Sequence, residues 1–401
     1  MFALMPATRL FNPSALAQTW PLPTQPRPVV IFGAGSIVRD AHLQAYQLAN
    51  IPVAGIYDPD TDRARQLCDD WNIPLLSNEA EALEQPQACF DLATPPAVHA
   101  TLLEKIPQGS PVLIQKPMGS DLDDATRILS ICRERKLVAA VNFQLRFAPM
   151  MLALRQAIDE GHLGTIVDFD AWLALDTPWH LWEFLESLDR VEIAVHSIHY
   201  LDFVRSILGN PLGVHAKTVS HPRSRVAQSR TAAILDYGDD IRCNLSINHD
   251  HFFGRKFQAC EFRICGTEGA AYVKLGVNLD YPRGEPDELW IYPAGGDNWM
   301  QVNLTGSWFP EAFSGRMNNL QRFANGEDAE LVSSVEDAWN TMSLVESAFE
   351  SSATSATPLA SVQNSSNQRA SVQNTAIQNT AAPDTATPDT SFPDSAAPDK
   401  T

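Results

Sequence analysis

From Val29 to Phe143, short apolar runs alternate with helical patterns, and this alternation constrains the fold more than any other feature. VVIF precedes a helix expected over 38–49, and VAGIYD precedes one over 61–71. ACFDLAT, VLIQ and LVAAVNF continue the series, with helices expected over 99–105 and 122–135 between them. Strands separated by helices pair in parallel through right-handed crossovers. The prediction is an α/β chain that begins with a doubly wound parallel sheet.

The first strand runs into Gly33-Ala34-Gly35, and a helix follows at once through Ser36 and Ile37. Gly33 permits the tight turn, and Gly35 lets the backbone approach a pyrophosphate that the helix N-terminus stabilises. Val38 stands where a third small residue is expected, so strand–helix packing must differ there. The second strand ends in Asp58, whose carboxylate can accept from both ribose hydroxyls and would repel a 2′-phosphate. The expected cofactor is therefore NAD, with NADP as the alternative. The fourth strand ends in Gln115-Lys116-Pro117. Ligands bind outside the carboxyl ends of such strands, which makes Lys116 a candidate for proton transfer. Pro117 keeps Lys116 extended, and the bond between them is a candidate cis peptide.

After Phe147 the pattern changes. A helix over 149–160 leads into TIVDFDAWLAL, and a helical stretch over 191–208 follows. GVHAKTV, TAAILDY, IRCNLSIN, ACEFRIC, AAYVKLG and ELWIY then read as strands of a large antiparallel sheet with one face covered. Helices near 311–325 and 335–350 close the folded part. The expected organisation is a proline-rich arm (1–28), a dinucleotide-binding domain (29–146), a second α/β domain (147–351) and a disordered low-complexity tail (352–401).

A formal net charge of −19 argues against nucleic acid or an anionic membrane as the main partner. No apolar run is long enough to cross a bilayer, and no secretion signal is evident at the N-terminus. The six cysteines form no Cys-x-x-Cys pair, so a cytoplasmic protein without a disulfide framework is expected.

Glu192, His196 and His199 fall at i, i+4 and i+7 and should share one helix face as a proton relay. Asp202 and Arg205 read as an i, i+3 ion pair. His249 and His251 should share one face of a strand and be explained by sheet pairing, so no metal is expected. Trp179, His180 and Trp182 follow Pro178 in a loop-like stretch, where they can stack on a sugar ring or simply pack.

Over residues 29–350 the chain resembles the Gfo/Idh/MocA oxidoreductases. The resemblance rests on GAGSIVRDAHLQAY, DLATPPAVHA, QKPMGSDLDDATRI, VNFQLRFAP, HSIHYLDFVRSILG, ICGTEGAAYV and the two closing helices. It implies a Rossmann domain followed by an α/β domain with a large, mostly antiparallel sheet. It also implies nicotinamide-dependent redox chemistry, commonly on a carbohydrate or polyol; separately, an exposed face of the large sheet would favour a homo-oligomer. Carried over residue by residue, Gly33, Gly35, Ser36 and Ile37 hold the pyrophosphate and Asp58 the ribose. Thr94, Pro95, His99, Gln115 and Gln144 line the cofactor. Lys116 becomes the lysine of a Glu-Lys-Pro motif, and His199 the histidine of an Asp-x-x-x-His helix. The helix face adds His196, and the loop Trp179 and His180, as further candidates to face substrate. Two positions depart from the family pattern: Gln115 and Val195 stand where carboxylates are expected. Their absence should lower the lysine pKa. Two other activities fit the same resemblance, NAD-assisted glycoside cleavage and a non-catalytic nucleotide or sugar sensor.

Overall fold

The computed structural model describes residues 10–359 except residue 282. Nearly all of the expected low-complexity tail, and the first nine residues of the arm, lie outside the described residues. Five strands, β1 (Val29–Phe32), β2 (Val53–Tyr57), β3 (Cys89–Leu92), β4 (Pro111–Ile114) and β5 (Val138–Val141), form a parallel sheet in the order β2-β1-β3-β4-β5. β1, β3 and β4 are buried at every position, which explains their mostly apolar sequences; the exception is Asp91 in β3. Phe32 pairs with Tyr57 and Leu92, and Leu92 pairs with Ile114, which pairs with Val141. The carboxyl ends therefore lie side by side. The segments that follow them carry Gly33–Gly35, Asp58, Thr94, Lys116 and Gln144 to one edge of the sheet.

The second sheet has eight strands. β6 (Ile166–Ala174), β7 (Gly213–Val219), β8 (Arg230–Asp236), β9 (Arg242–Asn248), β10 (Ala259–Gly266), β11 (Ala270–Lys274), β12 (Glu288–Tyr292) and β13 (Met300–Val302) take the order β13-β12-β11-β10-β6-β9-β8-β7. Burial alternates along β8 and β9, so one face is covered and the other is open. All pairings are antiparallel except β6 with β9. Between β6 and the β7–β8–β9 meander the chain passes through the helix Ile198–Leu208, the kind of crossover that a parallel pair needs.

Helix Val335–Ala353 packs along β7 and against the helix Leu122–Glu134. Helix Glu311–Ala324 returns to the first sheet, burying Phe313, Met317 and Leu320 with Val29, Ile31 and Leu113. The N-terminal segment is tied down across the protein. Phe11 packs edge-on against His162, Trp20 Nε1 donates to Asp328 at 2.7 Å, and Arg27 N donates to Gln321 Oε1 at 2.7 Å.

Candidate active site

Gly33 has φ +109°, and a Cβ there would meet Ala93 O at 2.3 Å, so only glycine fits. A Cβ on Gly35 would meet nothing within 4 Å, which leaves that side of the turn open. Ser36 and Ile37 begin the helix, exposed and half-buried. The helix opens into π-type turns over Val38–His42, where Val38 is fully buried. The altered strand–helix packing expected at Val38 coincides with this widened turn. Asp58, at the end of β2, accepts from Ala34 N at 2.8 Å and from Arg63 Nη2 at 2.9 Å. It braces the glycine turn directly.

Thr94 adjoins that turn, its Cγ2 within 3.6 Å of a Cβ built on Gly33, and its buried Oγ1 has no partner. Pro95 is exposed beside it. His99 is fully buried and bonds Thr94 O through Nε2 at 3.0 Å, so it supports this loop from behind. Burial lowers the His99 pKa to about 4. Gln144 is buried too, with an unpartnered Oε1.

The Lys116–Pro117 bond is cis. Lys116 Nζ donates to Val195 O at 2.8 Å. Val195 lies inside a π-helical stretch, Glu192–Ser197, that precedes the α-helix Ile198–Leu208. The wider hydrogen-bond ladder of a π turn leaves carbonyls available to other donors. Desolvation pulls the Lys116 pKa down to about 8. No carboxylate offsets that burial, in line with the Gln115 and Val195 substitutions. The amide of Gln115 faces elsewhere. Its Oε1 accepts from Lys116 N at 2.8 Å, and its Nε2 lies 3.2 Å from His42 Nε2. His42 Nδ1 bonds Asp91 at 2.6 Å, and Tyr46 OH donates to the same carboxylate oxygen. With its Nδ1 proton held by a carboxylate, His42 presents a lone pair at Nε2 and needs a donor. Gln115 can supply one and a glutamate cannot.

The π turns also divide the polar face expected of the 191–208 helix. His196 and His199 both lie near enough to Lys116 for its charge to lower their pKa values, burial being the larger cause. His199 packs edge-on to Trp308, and its Nδ1 has no partner. Glu192 instead points toward His249, with Ser197 and Thr231 hydroxyls donating to it. The relay expected along one helix face is therefore two groups, joined through His196, whose ring lies 4.4 Å from that of His249.

Two other expectations are corrected, and the structure shows how the Trp179–Trp182 stretch packs. Asp202 pairs with Arg146 at 2.6 Å and Arg205 with Asp337 at 3.0 Å, so the two do not pair with each other. Both are buried, and partners from neighbouring elements satisfy them with forked geometry that i, i+3 spacing does not offer. β9 stops at Asn248, so His249 and His251 do not share a strand face. His249 is buried, while His251 bonds Lys256 O near the surface. Trp179 and Trp182 pack in a small cluster with Leu185, Val191, Val195 and Val226, and His180 is exposed.

Residues 27–143 match the family description "Oxidoreductase family, NAD-binding Rossmann fold", and residues 151–272 match the family's C-terminal domain. The chain belongs to the Gfo/Idh/MocA oxidoreductase family. Among curated Gfo/Idh/MocA relatives, a putative oxidoreductase, YceM, of Salmonella typhimurium is 29% identical over 31% of this chain and 41% of its own length. A D-apiose dehydrogenase of Paraburkholderia graminis is 27% identical over 51% of this chain. The matched segment spans 56% of that enzyme. Among solved structures, an oxidoreductase from Agrobacterium radiobacter in complex with NAD+, L-tartaric acid and magnesium superposes with TM-score 0.69 at 20% identity. It covers 82% of this chain and 97% of its own. A levoglucosan dehydrogenase in complex with NADH and levoglucosan gives 0.68 at 18% identity, covering 82% and 98%. At these identities the superpositions establish the shared fold.

The first sheet is thus an NAD-binding Rossmann domain. Its local structure fits the cofactor: a glycine turn open at Gly35, a helix starting at Ser36, and an orphaned Thr94 hydroxyl beside them.

Proposed function

We propose that this chain is an NAD-dependent dehydrogenase of a carbohydrate or polyol hydroxyl, with NADP as the second candidate cofactor. The observation that carries the reading is Lys116: a lysine with its pKa lowered to about 8, at the strand ends beside the glycine turn, flanked by buried His199 and half-buried His196, both with lowered pKa values. Gly33, Gly35, Ser36 and Ile37 would hold the pyrophosphate, with Asp58 toward the ribose and Thr94, Pro95, Gln115 and Gln144 along the remaining length. When bound, NAD supplies the hydride acceptor.

Lys116 Nζ takes the substrate hydroxyl proton and returns it in the reverse direction, with His199 and His196 as the adjoining acceptors. Val195 O orients the ammonium from the far side. The sugar-related names of the relatives, D-apiose and levoglucosan dehydrogenases among them, support the substrate class. Trp172 and Ile234, at 40% and 52% exposure on the open face of the second sheet, support a homo-oligomer. No helix among the described residues is long and apolar enough to cross a membrane, and we take the cytoplasm as the compartment.

The test is a panel of sugars and polyols followed by absorbance of reduced cofactor, with NAD and NADP in parallel. On the substrate found, kcat/KM for oxidation should rise with pH through about 8, as Lys116 loses its proton. Lys116→Met should cut turnover by roughly 10²–10⁴-fold and flatten that profile while NAD binding persists. Wild-type turnover in Lys116→Met would refute the assignment.

A further inference from the structure

In the π-helical stretch that carries Val195, whose carbonyl holds Lys116, and in the segment after β9, three groups converge that the dehydrogenase reading does not use together. A carboxylate oxygen of Glu192 and one ring nitrogen each from His196 and His249 lie within 4.8 Å of one another. Glu192 and His249 are both 0% exposed. Glu192 accepts from the hydroxyls of Ser197 and Thr231, yet among the described residues no lysine or arginine nitrogen comes within ion-pair distance of it. A buried carboxylate without a cationic partner is costly.

His249 Nε2 is 3.6 Å from Glu192 Oε1, too long for a hydrogen bond, and it has no other partner. The other ring nitrogen, Nδ1, is held by Thr177 Oγ1 at 2.7 Å. His196 Nδ1 is buried and likewise unpartnered. A neutral imidazole offers one ring-nitrogen lone pair. Two imidazole nitrogens and one carboxylate oxygen therefore converge with no hydrogen bond between them. A positive charge there would satisfy all three.

We infer that Glu192, His196 and His249 form a binding site for one divalent transition-metal ion of the zinc class. Two histidines and a glutamate are a recurrent set for zinc with an open position, which here would take water or a substrate oxygen. Bonds of about 2.0–2.2 Å put tetrahedral ligand atoms roughly 3.3–3.6 Å apart. The Glu192–His249 separation already meets this, and the widest pair closes by about 1 Å. Thr177 on His249 Nδ1, and Ser197 and Thr231 on Glu192, are the outer partners that orient metal ligands. Nitrogen and carboxylate donors without thiolate favour zinc, cobalt or nickel over calcium or magnesium.

The site does not depend on the dehydrogenase reading, and its test needs no substrate. Full-length, untagged protein is stripped with chelator, dialysed, and titrated with zinc alone against a chromophoric competitor, with melting temperature recorded at each step. Wild type should take up one zinc per chain and melt higher with it. Glu192→Gln, which keeps the hydroxyl contacts, and His249→Gln should each lose the stoichiometric ion while still binding NAD. Should His249→Gln not fold, Glu192→Gln and the chelator response of wild type decide the matter. Failure of stripped wild type to take up one equivalent, or uptake unchanged in Glu192→Gln, overturns the inference. Cobalt in place of zinc should give visible ligand-field absorption that disappears in the same variants.

Discussion

Gln115→Glu would restore the carboxylate that the family motif carries at this position, and the structure predicts that it destabilises the protein. The substitution is nearly isosteric and keeps an oxygen for Lys116 N. It removes the amide hydrogen that faces His42 Nε2 at 3.2 Å and sets a carboxylate against a lone pair. His42 cannot relieve this by exchanging tautomers, because Asp91 holds Nδ1 at 2.6 Å. Losing the bond and leaving two acceptors face to face in a partly buried site costs about 1–3 kcal/mol. Urea unfolding should show a lower midpoint at unchanged m-value. In a His42→Leu background the lone pair is gone, so the Gln115→Glu penalty should shrink by 1 kcal/mol or more, about the size of a contact coupling in a double-mutant cycle. A Gln115→Glu protein as stable as wild type would refute the reasoning, because it would mean that His42 Nε2 carries the proton. On this view Gln115 is set by its neighbour, and its presence says little against catalysis.

The two glycines of the turn should separate fold from binding. Gly33→Ala puts a Cβ 2.3 Å from Ala93 O at φ +109° and should cost about 2 kcal/mol or more in thermal or urea unfolding. Gly35→Ala meets no protein atom, so stability should stay within about 0.5 kcal/mol while NAD affinity falls at least about tenfold by fluorescence titration. Equal effects of the two on stability would contradict this division. His99 has its pKa lowered to about 4 in the fold against 6.5 when unfolded, so its contribution is whole above 6.5 and is lost as pH falls toward 4. That loss is on the order of 3 kcal/mol, and His99→Gln should flatten the stability profile between pH 7 and 4.5, whereas parallel profiles would count against a buried neutral His99.

The strands of the first sheet were legible because each is a short, mostly apolar run, and β1, β3 and β4 are buried along their whole length. The glycine turn was legible because Gly33 answers a local backbone demand. β13 was not: its three residues are mostly exposed and carry no alternation to read. The parallel β6–β9 pair was hidden as well, since strand direction within a sheet leaves no mark on either strand's composition. At the candidate site, Lys116 announced itself by its address at a strand end. The π turns at Glu192–Ser197 did not, because the same residues read equally well as α-helix. That one change of ladder turns Glu192 toward His249. His249 could not be recognised as its neighbour from a sequence separation of more than fifty residues, and the doublet with His251 misdirected attention to a strand face that does not exist.

The N-terminal segment bears on how the chain comes to be folded. Trp20 is fixed by Asp328, 308 residues later, and Thr24 by Glu327, 303 residues later. Gln18 contacts Asn303 and Thr305, and Arg27 contacts Gln321 and Asn325. Synthesis proceeds from the N-terminus, and early domains generally fold as they emerge. Here residues 18–27 must wait for residues 303–328, made much later, before they can dock. Contacts of such sequence separation close late and slowly. The strap is thus a clasp fastened late in folding, tying an N-terminal segment to chain made some 300 residues later.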